Sequence, residues 1–177
     1  MAIFYQWWRG CKFTLLKITL IKIHPGQDPE ILEHYANKGY KGIILEVTGL
    51  GHVPSKESKQ NWLPKIKKAI QNGITIAAAP QTIYGRLNPN VYAYGRDLQK
   101  KGIIFLEDLL PETALVKLGY VLGHKSWNPK EKLIENIAGE FNDKIESWIL
   151  SNLNNINLYI SLYKRLNTQK KRLKDEK

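Results

Sequence analysis

KGIILEVTGLGHVP (residues 41–54) and GITIAAAPQTIYGRLNPNVYAYGR (residues 73–96) share one plan: a short apolar run, then a loop of small and polar residues. The runs are 42–47 and 74–79. The loops are Thr48-Gly49-Leu50-Gly51-His52 and Gln81-Thr82-Ile83-Tyr84-Gly85-Arg86. Between them lies a lysine-rich segment of helix-forming length. A strand, a helix and a second strand in this order make a βαβ unit, whose strands run parallel and are covered on both faces.

Working outward, LLKITLIKI (residues 15–23) is β-branched and nearly continuous, and predicts a first strand over 17–23. In HPGQDPEILEHY, Pro25-Gly26 turns the chain, Asp28 can cap a helix, and Pro29 suits a first helical position. Ile31, Leu32 and Tyr35 give that helix an apolar face, and Gly39 ends it in the left-handed conformation. A second helix is predicted over 55–71, with Trp62, Ile66, Ala69 and Ile70 on one side. Its lysines, Lys56, Lys59, Lys65 and Lys68, read as a solvated face, with phosphate contact as the alternative. Beyond Arg86 come a short helix over 91–101, weakened by Gly95, a strand over 102–106, a helix over 110–122 and a last helix over 128–139. The expected fold is α/β, a three-layer αβα sandwich with about four parallel strands: 17–23, 42–47, 74–79 and 102–106. Residues 1–16 fit no periodic pattern and read as an irregular leader. Residues 142–177 read as a helical, basic tail.

Composition narrows the function classes. A chain of 177 residues with 43% hydrophobic and 24% charged residues has the makings of one globular core. The net charge of +11 is unevenly placed, since residues 164–177 alone carry seven Lys/Arg against two acids. That cluster is a candidate contact for RNA phosphates, with a solvated tail as the plainer reading. The single cysteine, Cys11, excludes an intrachain disulfide and suits a reducing cytoplasm. There is no CxxC or HExxH motif, so no metal or cofactor is expected. No apolar run is long enough to span a membrane, and MAIFYQWWRGCKF lacks the pattern of a secretory signal.

KGYKGIILEVTGLGHVP, followed by QTIYGRLNPNVYAYGRDLQKKGIIFLEDLLPETALVKLGYVLG, resembles the carboxyl-terminal domain of the L-asparaginase family. The nearer likeness is to its tRNA-dependent branch, the D subunits of the archaeal glutamyl-tRNA(Gln) amidotransferases. IKIHPGQDPEILEHY and ENIAGEF continue the resemblance, which spans residues 17–141. It implies hydrolysis of a side-chain amide of asparagine or glutamine. In the tRNA-dependent branch the ammonia converts Glu-tRNA(Gln) to Gln-tRNA(Gln). The family's nucleophilic threonine sits in a TGGT-like loop of an amino-terminal domain, with a second Thr, Asp and Lys set later in that domain. No GGT occurs here, and none of the seven threonines has that context. Catalytic residues are therefore expected in none of this chain, and activity is expected to require an amino-terminal catalytic domain or partner subunit.

The resemblance also implies a homodimer, in which this domain lends loop residues to a neighbouring substrate pocket. His52 is the matching position in TGLGH, with Thr48 beside it. Gln81, Tyr84 and Arg86 lie in the second loop, at the same carboxyl edge of the sheet where open α/β folds bind ligands. Arg86 suits a carboxylate, with a salt bridge to Glu107, Asp108 or Glu112 as the alternative. Glu46 reads as an arginine partner before a general base. Exposed Trp and Leu residues are expected to mark an oligomer surface. The competing readings are an asparaginase fragment, a gene remnant, or a non-catalytic module that dimerises and binds tRNA.

Overall fold

The computed structural model describes residues 17–142. The expectations for the leader, 1–16, and for the tail beyond Asn142 lie outside the described residues. Four strands, β1 (Ile18–Lys22), β2 (Gly42–Val47), β3 (Thr75–Pro80) and β4 (Ile104–Phe105), form one sheet in the order β1-β2-β3-β4. All three pairings are parallel. The helices are α1 (Ile31–Asn37), α2 (Trp62–Gln71), α3 (Ala93–Lys100), α4 (Pro111–Gly123) and the single turn α5 (Pro129–Lys132).

Side chains alternate across the sheet and divide the core in two. Ile21, Ile43, Leu45, Val47, Ile76 and Ala78 face Leu32 of α1, Trp62, Leu63 and Ile66 of α2, and Leu98 of α3. Ile44, Ala77, Ala79 and Ile104 face Ala114, Leu118 and Val121 of α4, together with Leu133. This is the expected three-layer arrangement. Each step from strand to neighbouring strand is taken in the same direction, so one handedness of crossover puts α1, α2 and α3 on one face. The other face is covered by α4, which crosses back over β2 and β1. Gly42 admits that crossing. A Cβ there would lie 2.7 Å from Leu122 Cδ1 and 2.8 Å from Leu118 Cδ2.

Helix starts follow the side chains that take up free backbone N–H groups. Asn61 accepts from Leu63 N–H at 3.0 Å and Asn128 from Lys130 N–H at 3.1 Å. Asp28 accepts from Glu30 N–H at 2.9 Å, just before α1. The expected helix over 55–71 is shorter than its lysine pattern suggested. Residues 55–61 take turns, with Gln60 N–H bonded to Ser58 Oγ at 3.2 Å, and the helix begins only where Trp62 enters the core. The helix expected over 128–139 stops after one turn. There Glu140 takes the N–H groups of Ile137, at 3.2 Å, and Ala138, at 2.6 Å, and Gly139 has φ 78.

Two groups of ion pairs sit on this frame. Between α1 and α2, Glu33 lies 3.0 Å from Lys65 and 2.9 Å from Lys68, and Lys65 also meets Glu30. Hydrogen bonds from Lys68 and then Lys65 hold the Glu33 carboxyl down at about 2. Inside the other face, Lys117 is buried, and the Glu140 side chain, 9% exposed, lies 2.6 Å from it. Burial pushes against the Glu140 charge. The contact with Lys117 and the backbone N–H donors overcome that and hold its carboxyl at about 2. Phe141 lies 4.3 Å from the Lys117 ammonium, so the pair pins the segment after α5 onto α4.

Candidate functional site

The carboxyl ends of β2 and β3 open into the loops that carry the five candidate residues. The first loop closes on itself. Thr48 and His52 form an antiparallel bridge, with His52 N–H bonded to Thr48 O at 2.9 Å and Thr48 N–H to His52 O at 3.2 Å. Two glycines make that closure possible. Gly49 has φ 53 and Gly51 φ 115, and a Cβ on Gly51 would lie 2.6 Å from Phe105 Cε1. The Thr48 hydroxyl donates to His52 O at 3.2 Å, so its partner is a backbone carbonyl and not a base.

The His52 ring is half-buried against aromatics. Its centroid is 5.2 Å from that of Tyr92 and 6.4 Å from that of Tyr94, the latter edge-on at 88°. Tyr94 is fixed in turn by its hydroxyl, which donates to Glu57 at 3.1 Å. That hydrogen bond and the carboxylate's charge push the phenol above its ordinary range. Tyr92, Tyr94 and Glu57 are residues that the sequence pattern did not single out. A helix over 91–101 would have turned the two tyrosines to different sides. Instead α3 starts at Ala93, and Tyr92 caps it in extended conformation. Gly95 explains itself in the same place: a Cβ would sit 2.7 Å from Pro89 O, so the loop before α3 packs on the helix backbone.

The second loop is anchored at both ends. Gln81 Nε2 donates to Ile23 O at 2.6 Å and to Glu46 O at 3.0 Å, tying the ends of β1 and β2 together. Arg86 lies 2.8 Å from Glu107 and 3.5 Å from Asp108, and it also donates to Asn142 O. The salt-bridge alternative for Arg86 is thus formed with two of its three expected acids. Glu107 itself has φ 47, unusual for a residue with a side chain. Glu46 pairs with Lys22 across the β1–β2 register at 2.7 Å, in place of the expected arginine. Ile83 and Tyr84, between the anchors, are 70% and 95% exposed. Asn88 N–H reaches Leu50 O at 3.0 Å and links the chain after Arg86 to the first loop.

Arg86, Phe105, Glu107 and Ile134 line an open cleft of about 660 Å³ along the free edge of β4. Of the expected exposed Trp and Leu, Leu110 is 42% exposed, and Trp7, Trp8 and Trp148 lie outside the described residues. Trp62 is fully buried, and the exposed large side chains around the loops are Ile83, Tyr84, Val91, Tyr92 and Tyr94. Among the described residues, no three His, Cys, Asp or Glu side chains gather as metal ligands, and no helix is long and apolar enough to cross a membrane.

Known proteins resemble this arrangement. The glutaminase/asparaginase C-terminal domain matches residues 17–133. The D subunit of glutamyl-tRNA(Gln) amidotransferase from Pyrococcus furiosus is 47% identical over 126 residues, covering 70% of this chain and 28% of that protein. The D subunit of the same enzyme from Methanococcus maripaludis strain C7 is 50% identical over 130 residues, covering 73% and 30%. The chain therefore spans under a third of the length of the curated relatives it matches. Among solved structures, the thermostable L-asparaginase of Thermococcus kodakarensis superposes with a TM-score of 0.65 at 28% identity, covering 72% of this chain and 38% of that one. L-asparaginase I of Vibrio cholerae gives a TM-score of 0.62 at 27% identity, covering 72% and 38%. With its parallel sheet, its paired carboxyl-edge loops and a match over most of its described length, this chain belongs to the glutaminase/asparaginase C-terminal domain family.

Proposed function

We propose that the chain is the carboxyl-terminal portion of an amide-hydrolysing subunit that frees ammonia from asparagine or glutamine for converting Glu-tRNA(Gln) to Gln-tRNA(Gln). The observation that carries this reading is the join between the TGLGH loop and the loop after Arg86, in a chain 47–50% identical to the amidotransferase D subunits. Amide hydrolysis needs an activated hydroxyl, a base or lysine in reach of it, and donors for the oxyanion. Thr48, bonded to a backbone carbonyl, supplies neither of the first two. The reactive threonine belongs to a segment outside this sequence.

The role left to this domain is to present substrate-contacting groups. His52, steadied by Tyr92 and Tyr94, offers its imidazole, with Thr48 bridged to it in the same loop and Tyr84 exposed in the second. Gln81 keeps its carbonyl oxygen for a ligand, since its nitrogen holds the strand ends. A substrate carboxylate at Arg86 would displace Glu107, the acid partner that is 55% exposed, and leave Asp108, at 14%, in place. The exposed Ile83, Tyr84, Val91 and Tyr92 support contact with a catalytic domain or a second copy in a homodimer. The working compartment on this reading is the cytoplasm.

The test is reconstitution. The purified chain alone is expected to release no ammonia from asparagine or glutamine. Addition of the amino-terminal portion of one of the amidotransferase relatives is expected to restore release, and His52→Ala to weaken it. Ammonia release by the isolated chain, or no restoration by any such portion, would overturn the reading.

A further inference from the structure

Helix α2 sorts its lysines by face. Lys65 and Lys68 turn toward α1 and meet Glu30 and Glu33. Lys67, between them, turns instead into a cleft of about 330 Å³ between the start of α2 and the end of α3, where Lys56 and Lys101 join it. Asp97, the acid lining this cleft, lies 3.5 Å from Lys56. Lys67 and Lys101 have no acid partner among the described residues. Both line the cleft beside Leu63 and Pro64, so an anion seated there would meet two cations that none of the described acids neutralises.

The donor set says which anion. The backbone at the start of α2 is already occupied: Trp62 N–H bonds to Pro54 O at 3.0 Å, Leu63 N–H to Asn61 at 3.0 Å, and Pro64 has no N–H. Recognition therefore falls to side chains, the ammonium groups of Lys56, Lys67 and Lys101 with the Asn61 amide beside them, none of which has the fork that fits a carboxylate. Lysine, acting as a point charge, suits phosphate. A volume of 330 Å³ is at the small end for ligand sites, enough for one phosphate and the group it is attached to.

We infer that this cleft binds a phosphate-bearing ligand, either a stretch of RNA backbone or a small free phosphate. The proposal stands apart from the amide-hydrolysis reading, because the binding it describes needs no catalytic partner.

The experiment titrates the full chain with a single-stranded oligoribonucleotide across a salt series and, separately, with inorganic pyrophosphate. Each lysine–phosphate contact adds roughly 0.7 to the salt slope on a single strand, so Lys67→Ala with Lys101→Ala should lower the slope by about 1.4 and weaken binding several-fold. Lys170→Ala with Lys171→Ala separates any contribution of the basic carboxyl end. Cleft substitutions that weaken RNA binding alone identify backbone phosphate as the source. Loss of pyrophosphate binding alone identifies a small phosphate, and loss of both identifies a site open to either. All three outcomes support the cleft. It is overturned if neither probe binds the unaltered chain, or if binding is unchanged by the cleft substitutions, including the case where only the Lys170 and Lys171 pair matters. Both lysines are at the surface, and an unchanged melting temperature shows that the variant remains folded.

Discussion

The loops leaving β2 and β3 start side by side in the sheet and are built on opposite principles. Residues 48–52 close on themselves through the Thr48–His52 bridge and two glycines in the left-handed region, so the loop's shape is set from within. Residues 81–86 contain one turn, Gly85 N–H to Thr82 O at 3.3 Å, and are tied to the rest of the fold at their ends, Gln81 to the strand termini and Arg86 to two acids, while Ile83 and Tyr84 project into solvent. A loop fixed from within can hold one side chain, His52, in one orientation. A loop fixed at its ends presents an apolar surface whose final form is completed by whatever it meets.

That contrast can be broken at its strongest point first. Gly51→Val forces a β-branched residue to φ 115 and drives its side chain into Phe105, and is expected to cost about 3 kcal/mol in urea-induced unfolding. An unchanged midpoint would mean the loop is not fixed from within. Gln81→Ala removes the donor shared by the carbonyls of Ile23 and Glu46, and should cost about 1–2 kcal/mol by the same measurement. A neutral result would remove the anchor from the second loop. Tyr84→Ala should change stability by less than about 0.5 kcal/mol while weakening association with a partner or second copy in sedimentation experiments. If self-association and reconstitution both survive it, the projecting loop is not a contact surface. The smallest effect is spectroscopic: Glu57→Gln is expected to bring the Tyr94 phenol back down toward its ordinary 10.0, read by ultraviolet titration. A phenol that titrates unchanged would show that Glu57 does not steady the His52 neighbourhood.

How far the sequence carried the fold depends on the range of the interactions involved. β2 was legible to the residue, because its six positions are consecutively buried and all but Glu46 are apolar. β4 was expected over 102–106 and pairs only at Ile104 and Phe105, since a sheet-edge strand is limited by its single neighbour and not by its own apolarity. Lysine spacing overextended α2 toward 55, where Ser58 and Asn61 divert the backbone into turns. The path after α5 was illegible for another reason: Glu140 takes the Ile137 and Ala138 N–H groups that a helix through 139 would have bonded to its own carbonyls, and what holds Glu140 is Lys117 on another helix. At the candidate site, loop chemistry and position pointed to Thr48, His52, Gln81, Tyr84 and Arg86. The aromatic surroundings of His52 depended on where α3 begins, and the engagement of Gln81 depended on carbonyls from two other strands. Pairs of that kind leave no periodic trace.

The route of α4 has a consequence for how the molecule is made. Ile44, Ala77 and Ala79 are in place once β3 has paired, yet the helix that shields them is the last long element of the described region and reaches back to Gly42. During synthesis, one side of the young sheet therefore stands bare until the ribosome has delivered residues through Gly123. In that interval the nascent chain is a natural client for chaperones and is most vulnerable to aggregation.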